Sequence, residues 1–262
     1  MQKTILLTND DGIFAPGLSC LQRALRVVAR VIVVAPERDN SAISHSLTMN
    51  RPLRVRKLEE NVYTVDGTPA DCVTLAVGKI LRQRPDLLVS GINPGENIGD
   101  DVNYSGTVSA AVEGTMLGIP SFALSQANGA SFVFDAASDF AVKLAQWILN
   151  HGLPQDTLLN VNVPRSDLLP RGVRLTHQGR RTWEGAIKEL DDPWGRKHYW
   201  IGGGRPSVDG RQDSDAQALL AGYISVTPIH LDLTNYAALD ALNEQWQHFL
   251  TFEGENDNAG KS

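Results

Sequence analysis

The apolar run Ile5-Leu6-Leu7 ends, after Thr8, on Asn9-Asp10-Asp11-Gly12, and this abrupt passage from hydrocarbon to two adjacent carboxylates constrains the chain more than any other stretch. A run so short and so apolar reads as a strand buried on both faces, as in a parallel sheet. In open α/β sheets ligands bind just outside the carboxyl ends of such strands. Adjacent carboxylates repel each other, so one stays protonated unless a cation offsets them. Hard divalent ions such as Mg²⁺, Mn²⁺ or Ca²⁺ take oxygen ligands of this kind. Asp-Gly is also a common turn dipeptide, so an Asx-turn at Asp10 beside a solvated Asp11 is an equal reading of these eight residues.

The same alternation of apolar run and polar loop recurs downstream. Ala15-Pro16-Gly17 leads to Leu18, Leu21, Leu25 and Val28 at helical spacing, and Arg30 precedes a second buried run, Val31-Ile32-Val33-Val34-Ala35. A right-handed parallel βαβ unit is the default for that order. The polar stretch from Pro36 to Asn50 carries Ser41, Ser44, His45 and Ser46 and leaves the second strand at the end beside Asp10 and Asp11. By itself it reads as an ordinary solvent-facing loop. Leu53 to Val65 alternates as a β excursion. Thr68, Pro69 and Asp71 then have the N-cap, first-position and third-position chemistry of a helix running to about Leu81.

A third buried strand, 85–92, opens into a loop rich in Gly and Asn from Asn93 to Thr107; loops of that length are functional or disordered. The helix that follows, about 107–117, begins at Ser105-Gly106-Thr107. Its free N–H groups and positive dipole end suit a phosphate, and simple capping by Ser105 uses the same groups. A strand at 119–124, a helix over 135–150 with Ala137, Phe140, Leu144, Trp147 and Ile148 inward, and a strand at 158–163 complete a doubly wound sheet by about residue 165. Residues 173–228 change character, reading as hairpins of an arm whose aromatic residues, Trp183, Trp194, Tyr199 and Trp200, serve as subunit contacts. A terminal helix at about 237–250 and a flexible tail at 254–262 follow.

With 262 residues, 42% of them apolar and 21% charged, a single α/β domain over 1–253 is expected. The net charge is -6, and the only basic pair that stands out is Arg180-Arg181, which argues against a nucleic-acid groove. Cys20 and Cys72 lack ligand spacing and sit in apolar helical patterns, so both read as buried thiols. No apolar run approaches the ~18 residues of a membrane span. The N-terminus enters a strand with no signal-like hydrophobic region, so a cytoplasmic location is expected.

Several of these stretches together carry a family resemblance. They are Asn9-Asp10-Asp11-Gly12 with Ala15-Pro16-Gly17, then Ala35-Pro36, Arg38 and Ser41, then Asp66-Gly67-Thr68-Pro69. The densest block runs from Ser90-Gly91-Ile92-Asn93 through Asn97, Gly99 and Tyr104-Ser105-Gly106-Thr107 to Ala110-Ala111 and Glu113-Gly114; Ser225-Val226-Thr227-Pro228 is a late echo. The chain resembles the SurE family (survival protein E) of metal-dependent 5′/3′-nucleotidases. The resemblance implies a Rossmann-like doubly wound, mostly parallel α/β sheet, with a C-terminal β-hairpin arm and terminal helix used in oligomerisation as homodimer or homotetramer. It implies one divalent cation per subunit, Mg²⁺ or Mn²⁺, held by Asp10, Asp11, Ser41 and Asn93 with water completing the shell. It also implies phosphomonoesterase action on nucleoside 5′- and 3′-monophosphates.

In that scheme Asp10 and Asp11 are catalytic as well as ligating, and water activated by the cation attacks phosphorus. Asn97, Ser105, Gly106 and Thr107 bind the substrate phosphate. Asp10 is the preferred general base, and His45 reads as a surface residue rather than the acid. The chain departs from the family at Ala42, where glycine usually follows the serine, and the likeness is thinnest from Arg180 to Asp213. A haloacid-dehalogenase-type phosphatase needs, after the first strand, a second aspartate two positions on, whereas Asp10 and Asp11 are adjacent; a dinucleotide-binding module needs Gly-x-Gly-x-x-Gly there, which is absent. The alternative is a non-catalytic nucleotide- or metal-binding oligomeric protein, marked by ion binding without turnover.

Overall fold

The computed structural model describes residues 2–129 and 133–246, in two compact units, Met1–Leu231 and Asp232–Ser262. The first unit opens with β1 (Thr4–Thr8), α1 (Pro16–Leu25) and β2 (Arg30–Pro36). A hairpin of β3 (Val55–Glu59) and β4 (Val62–Val65) follows, then α2 (Pro69–Leu75) and β5 (Leu87–Pro94). Next come α3 (Gly106–Met116), β6 (Ser121–Gln126), α4 (Asp135–His151) and β7 (Thr157–Val163). The chain continues through β8 (Val173–Leu175), β9 (Arg181–Glu184), β10 (Ile187–Asp191), β11 (Lys197–Ile201) and β12 (Arg205–Val208) to α5 (Asp215–Leu220) and β13 (Ile224–His230). The second unit contains α6 (Tyr236–Gln245), capped by the Asn235 side chain. The expected extension of that helix past residue 246, and the tail at 254–262, lie outside the described residues.

Nine strands form one sheet in the order β3-β4-β2-β1-β5-β6-β7-β13-β8. The six from β4 to β7 are mutually parallel, which requires crossovers; α1, α2, α3 and α4 supply four of them, and the loop after Pro36 with β3 supplies the one from β2 to β4. Strand order runs outward from β1 in one direction to β2 and in the other to β5, so the topological switch point lies between β1 and β5. Helices α1 and α4 pack together on one face, α2 and α3 on the other. Period-two alternation divides β1 between the two cores: Ile5 and Leu7 join Leu18, Leu21 and Phe122, whereas Leu6 joins Val73, Leu88 and Val108. Each such fully buried side chain contributes about 1.5–3 kcal/mol.

The helix expected from Thr68 has its full capping box: Thr68 Oγ1 accepts from the Asp71 N–H at 3.1 Å, and Asp71 Oδ2 accepts from the Thr68 N–H at 2.9 Å. It passes after Leu75 into a π-helical turn, Ala76–Ile80. Four expectations change. The sheet does not stop near residue 165, because β13 pairs antiparallel with β7 and carries β8 as the edge strand. The arm is therefore the shorter ribbon of β9 against β12 and β10 against β11. Trp147 is half exposed and stacks on His151, since the inward stripe of α4 is Ala137, Ala141, Ala145 and Ile148. Cys72 is buried as expected, but Cys20 is only partly so.

Candidate active site

Both acidic residues leave β1 at the switch point. Asp10 is 4% exposed. Its carboxylate meets the first turn of α3: the Thr107 hydroxyl donates to Oδ1, and the Thr107 backbone N–H lies in bonding reach as well. Gly106 makes the approach possible, since a Cβ there would fall 2.8 Å from Asp10 Cβ and 3.1 Å from Ile43 Cγ2. Ser105 caps the helix by accepting from the Val108 N–H at 3.1 Å. The first helical turn thus faces a carboxylate, and a positive dipole end favours that partner.

The exit of β2 is fastened to the exit of β1. The Ile13 N–H donates to Pro36 O and the Asn40 N–H to Asp10 O, each at 2.8 Å. Ser41 follows directly; its hydroxyl and N–H both donate to Asp39 Oδ1, which leaves the hydroxyl oxygen able to ligate. Ala42 and Ser44 adopt positive φ, +57° and +55°. The loop is then pinned to α3 by His45, whose Nε2 is 2.8 Å from Glu113 Oε2, while the Thr74 hydroxyl donates to the other oxygen at 2.7 Å. His45 is thereby paired with Glu113.

On the other side of the crevice, β5 delivers Asn93. Its Nδ2 donates to Gly95 O at 2.7 Å, which leaves Oδ1 as the atom that can ligate. Asn97, expected at the phosphate, is held by strands behind it. Its N–H donates to Asn162 Oδ1 and its Nδ2 to Ser125 Oγ, each at 2.8 Å, while its carbonyl accepts from Asn160 and Asn162. The structure therefore uses Asn97 to anchor the loop. Two fully buried asparagines in an otherwise apolar strand, Leu158-Leu159-Asn160-Val161-Asn162-Val163, were the signal available for that clamp.

Electrostatics single out the carboxylate pair. Burial raises Asp10 above its ordinary value against the opposing hydrogen bonds from Thr107. Burial, reinforced by the negative charges of Asp10 and Asp39, pushes Asp11 up to about 7. Asp39 is a carboxylate that the sequence reading passed over. Asp11 Oδ2 is buried and has no hydrogen-bond partner among the described residues, and the same holds for Thr8 Oγ1 and Asn9 Oδ1 where β1 ends and for Ser90 Oγ, which lies beside Thr8 in β5. Buried oxygens without donors are costly, and a hard cation satisfies them. Among the described residues no group of three or more Asp, Glu, His or Cys is placed to hold a metal. A cation here rests on two carboxylates completed by neutral oxygens, a donor set of the hard type that Mg²⁺ and Mn²⁺ accept.

A family model described as "Survival protein SurE" matches residues 5–185. The 5′-nucleotidase SurE of Geotalea daltonii is 50% identical over 249 residues, covering 94% of this chain and 99% of the relative. That of Geobacter sulfurreducens is 51% identical over 246 residues, covering 92% and 93%. The crystal structure of the SurE protein from Aquifex aeolicus superposes with a TM-score of 0.81 at 44% identity, covering 92% of this chain and 99% of that one.

Proposed function

The chain belongs to the SurE family and is a 5′-nucleotidase, and we propose that it hydrolyses nucleoside 5′- and 3′-monophosphates with one divalent cation, Mg²⁺ or Mn²⁺, held by Asp10, Asp11, Ser41 and Asn93. The observation that carries this reading is the contact of Thr107 with Asp10, which makes the phosphate-binding helix terminus and the cation-binding carboxylates one continuous site. A cation bound there supplies Lewis-acid polarisation of a phosphoryl oxygen and of water. Asp10, its carboxylate oriented by Thr107, takes the proton of the attacking water. Ser105, Gly106 and Thr107 at the start of α3 stabilise charge that develops on the phosphoryl oxygens. Asn97 keeps the loop between Asn93 and Ser105 in register and contributes to the phosphate site from there.

The arm supports self-association as homodimer or homotetramer: Ile187, Trp194, Tyr199, Trp200 and Ile201 are exposed on it, a larger apolar surface than a solvated hairpin needs. No helix among the described residues is long and apolar enough to cross a membrane, and a cytoplasmic location remains part of the proposal. The test is phosphate release from a panel of nucleoside 5′- and 3′-monophosphates with Mg²⁺, with Mn²⁺ and with chelator, on the intact protein and on Asp10→Asn. Metal-dependent release lost in Asp10→Asn is the expected result. Ion binding without any release would favour the non-catalytic alternative.

A further inference from the structure

Arg180-Arg181, the basic pair noted in the sequence, is not used by the chemistry above. Arg181 lies at the base of the arm, paired with Val208, and is only 8% exposed. Its guanidinium forks between two carboxylates, with Nη2 2.8 Å from Glu96 Oε1 and Nη1 3.0 Å from Asp101 Oδ2. Its own N–H donates to Asp100 Oδ2 at 2.9 Å. Trp183 covers the guanidinium at 4.6 Å and donates from Nε1 to Asp101 Oδ1. Gly99 lies directly beneath, where a Cβ would come within 2.9 Å of Arg181. Apart from Val208, every one of these partners belongs either to β9 or to the loop 93–107. That loop carries Asn93 at one end and Ser105-Gly106-Thr107 at the other.

We propose that Arg181 is a positioning residue of the phosphatase reaction: by clamping Glu96 and Asp101 it holds loop 93–107 in the arrangement that brings Asn93 and the α3 terminus to one phosphate. The proposal rests on the reading of Asn93 and Ser105 to Thr107 given above. A planar, permanently charged fork suits two carboxylates at once, which a lysine ammonium cannot match. When the clamp is absent, the competent loop is only fractionally populated and apparent affinity falls by that fraction, while saturating substrate re-forms the loop.

The experiment compares the full-length wild type with Arg181→Ala and Arg181→Lys, using adenosine 5′-monophosphate with Mn²⁺, and follows amide hydrogen exchange of the metal-free proteins. The expected result for Arg181→Ala is KM raised about tenfold with kcat within about twofold, and faster exchange across 97–107 with β1 and β5 unchanged. Arg181→Lys should recover part of both effects. Unchanged KM and unchanged exchange at 97–107, whatever the thermal stability, would overturn the proposal, as would a fall in kcat at constant KM. Should Arg181→Ala not fold, Glu96→Gln and Asp101→Asn each remove one arm of the fork and are expected to raise KM in the same way; unchanged KM in both would overturn it. A wild type without turnover would defeat the functional reading, and hydrogen exchange would still decide whether Arg181 orders the loop.

Discussion

Thr107 donates its hydroxyl to Asp10 Oδ1 across the junction of β1 and α3, two positions 97 residues apart in the chain. The bond orients a buried carboxylate that no lysine or arginine pairs with among the described residues. Thr107→Val keeps the shape and removes the donor. A lost hydrogen bond to a charged group is worth about 1.5–3 kcal/mol, so Mn²⁺ affinity measured by calorimetry should fall by about tenfold or more. Thr107→Ser should retain it, and equal affinities for Val and Ser variants would remove the bond from the mechanism.

Asp11 sets a pH requirement. Its value of about 7 in the metal-free protein means that burial and the neighbouring charges favour the neutral acid. A cation displaces that proton, so apparent metal affinity should fall by about tenfold for each pH unit below 7, and by more where Asp10, raised by its own burial, also binds a proton. The sign for folding is the reverse of the usual carboxylate case. A raised value makes the ionised, metal-free protein less stable as pH climbs from about 4 to 7, so Mn²⁺ should raise Tm more at pH 8 than at pH 5. A Tm increment independent of pH would contradict this.

Glu113 behaves in the ordinary direction. The hydrogen bond from His45, helped by Thr74, holds its carboxyl below the usual glutamate value. Its contribution is complete above about pH 4.5 and disappears as pH falls through the depressed value. Glu113 itself is buried but its partner His45 reaches solvent, so the effect is within about 1 kcal/mol after screening. Glu113→Gln should lower Tm slightly at pH 7 and flatten the acid limb of stability against pH; superimposable acid limbs would refute the assignment.

Ala42 occupies left-handed backbone at φ +57°. That conformation costs an L residue about 1–2 kcal/mol, and glycine loses roughly 0.5–1 kcal/mol of that gain to unfolded-state entropy. Ala42→Gly should therefore be neutral to stabilising by up to about 1 kcal/mol in denaturant titration. A clear loss of stability would show that the turn before Ile43 is formed differently.

The residues that sequence reasoning read correctly are those whose local chemistry has one outlet. Ile5-Leu6-Leu7 had nowhere to go but a two-sided core, and Thr68 with Asp71 spelled a capping box that the structure forms bond for bond. Apolar strands and helix caps are short-range signals. What stayed hidden depends on partners distant in sequence. Val173 and Leu175 are exposed on an edge strand three residues long, so nothing in their own pattern announces that β8 joins the main sheet. Asp39 acts on Asp10 and Asp11 through space, and a charge has no periodicity to betray it. Arg181 stands in a polar stretch, and its two carboxylates are supplied by a loop some eighty residues earlier.

The ribbon from β9 to β12 leaves the sheet and returns to it at one place, because Arg181 lies opposite Val208 and Glu184 opposite Arg205. Everything beyond that doorway is, topologically, a detour. Residues 187–201 can be lengthened or trimmed in matched pairs without rethreading any of the nine strands, and a chain in which they are replaced by a short turn should keep the sheet while losing the self-association that the arm supports, a loss read in sedimentation. The architecture thus separates two kinds of heritable change: the sheet and its crevice are locked together by packing, whereas the reach of the arm is a dial that can turn without disturbing them.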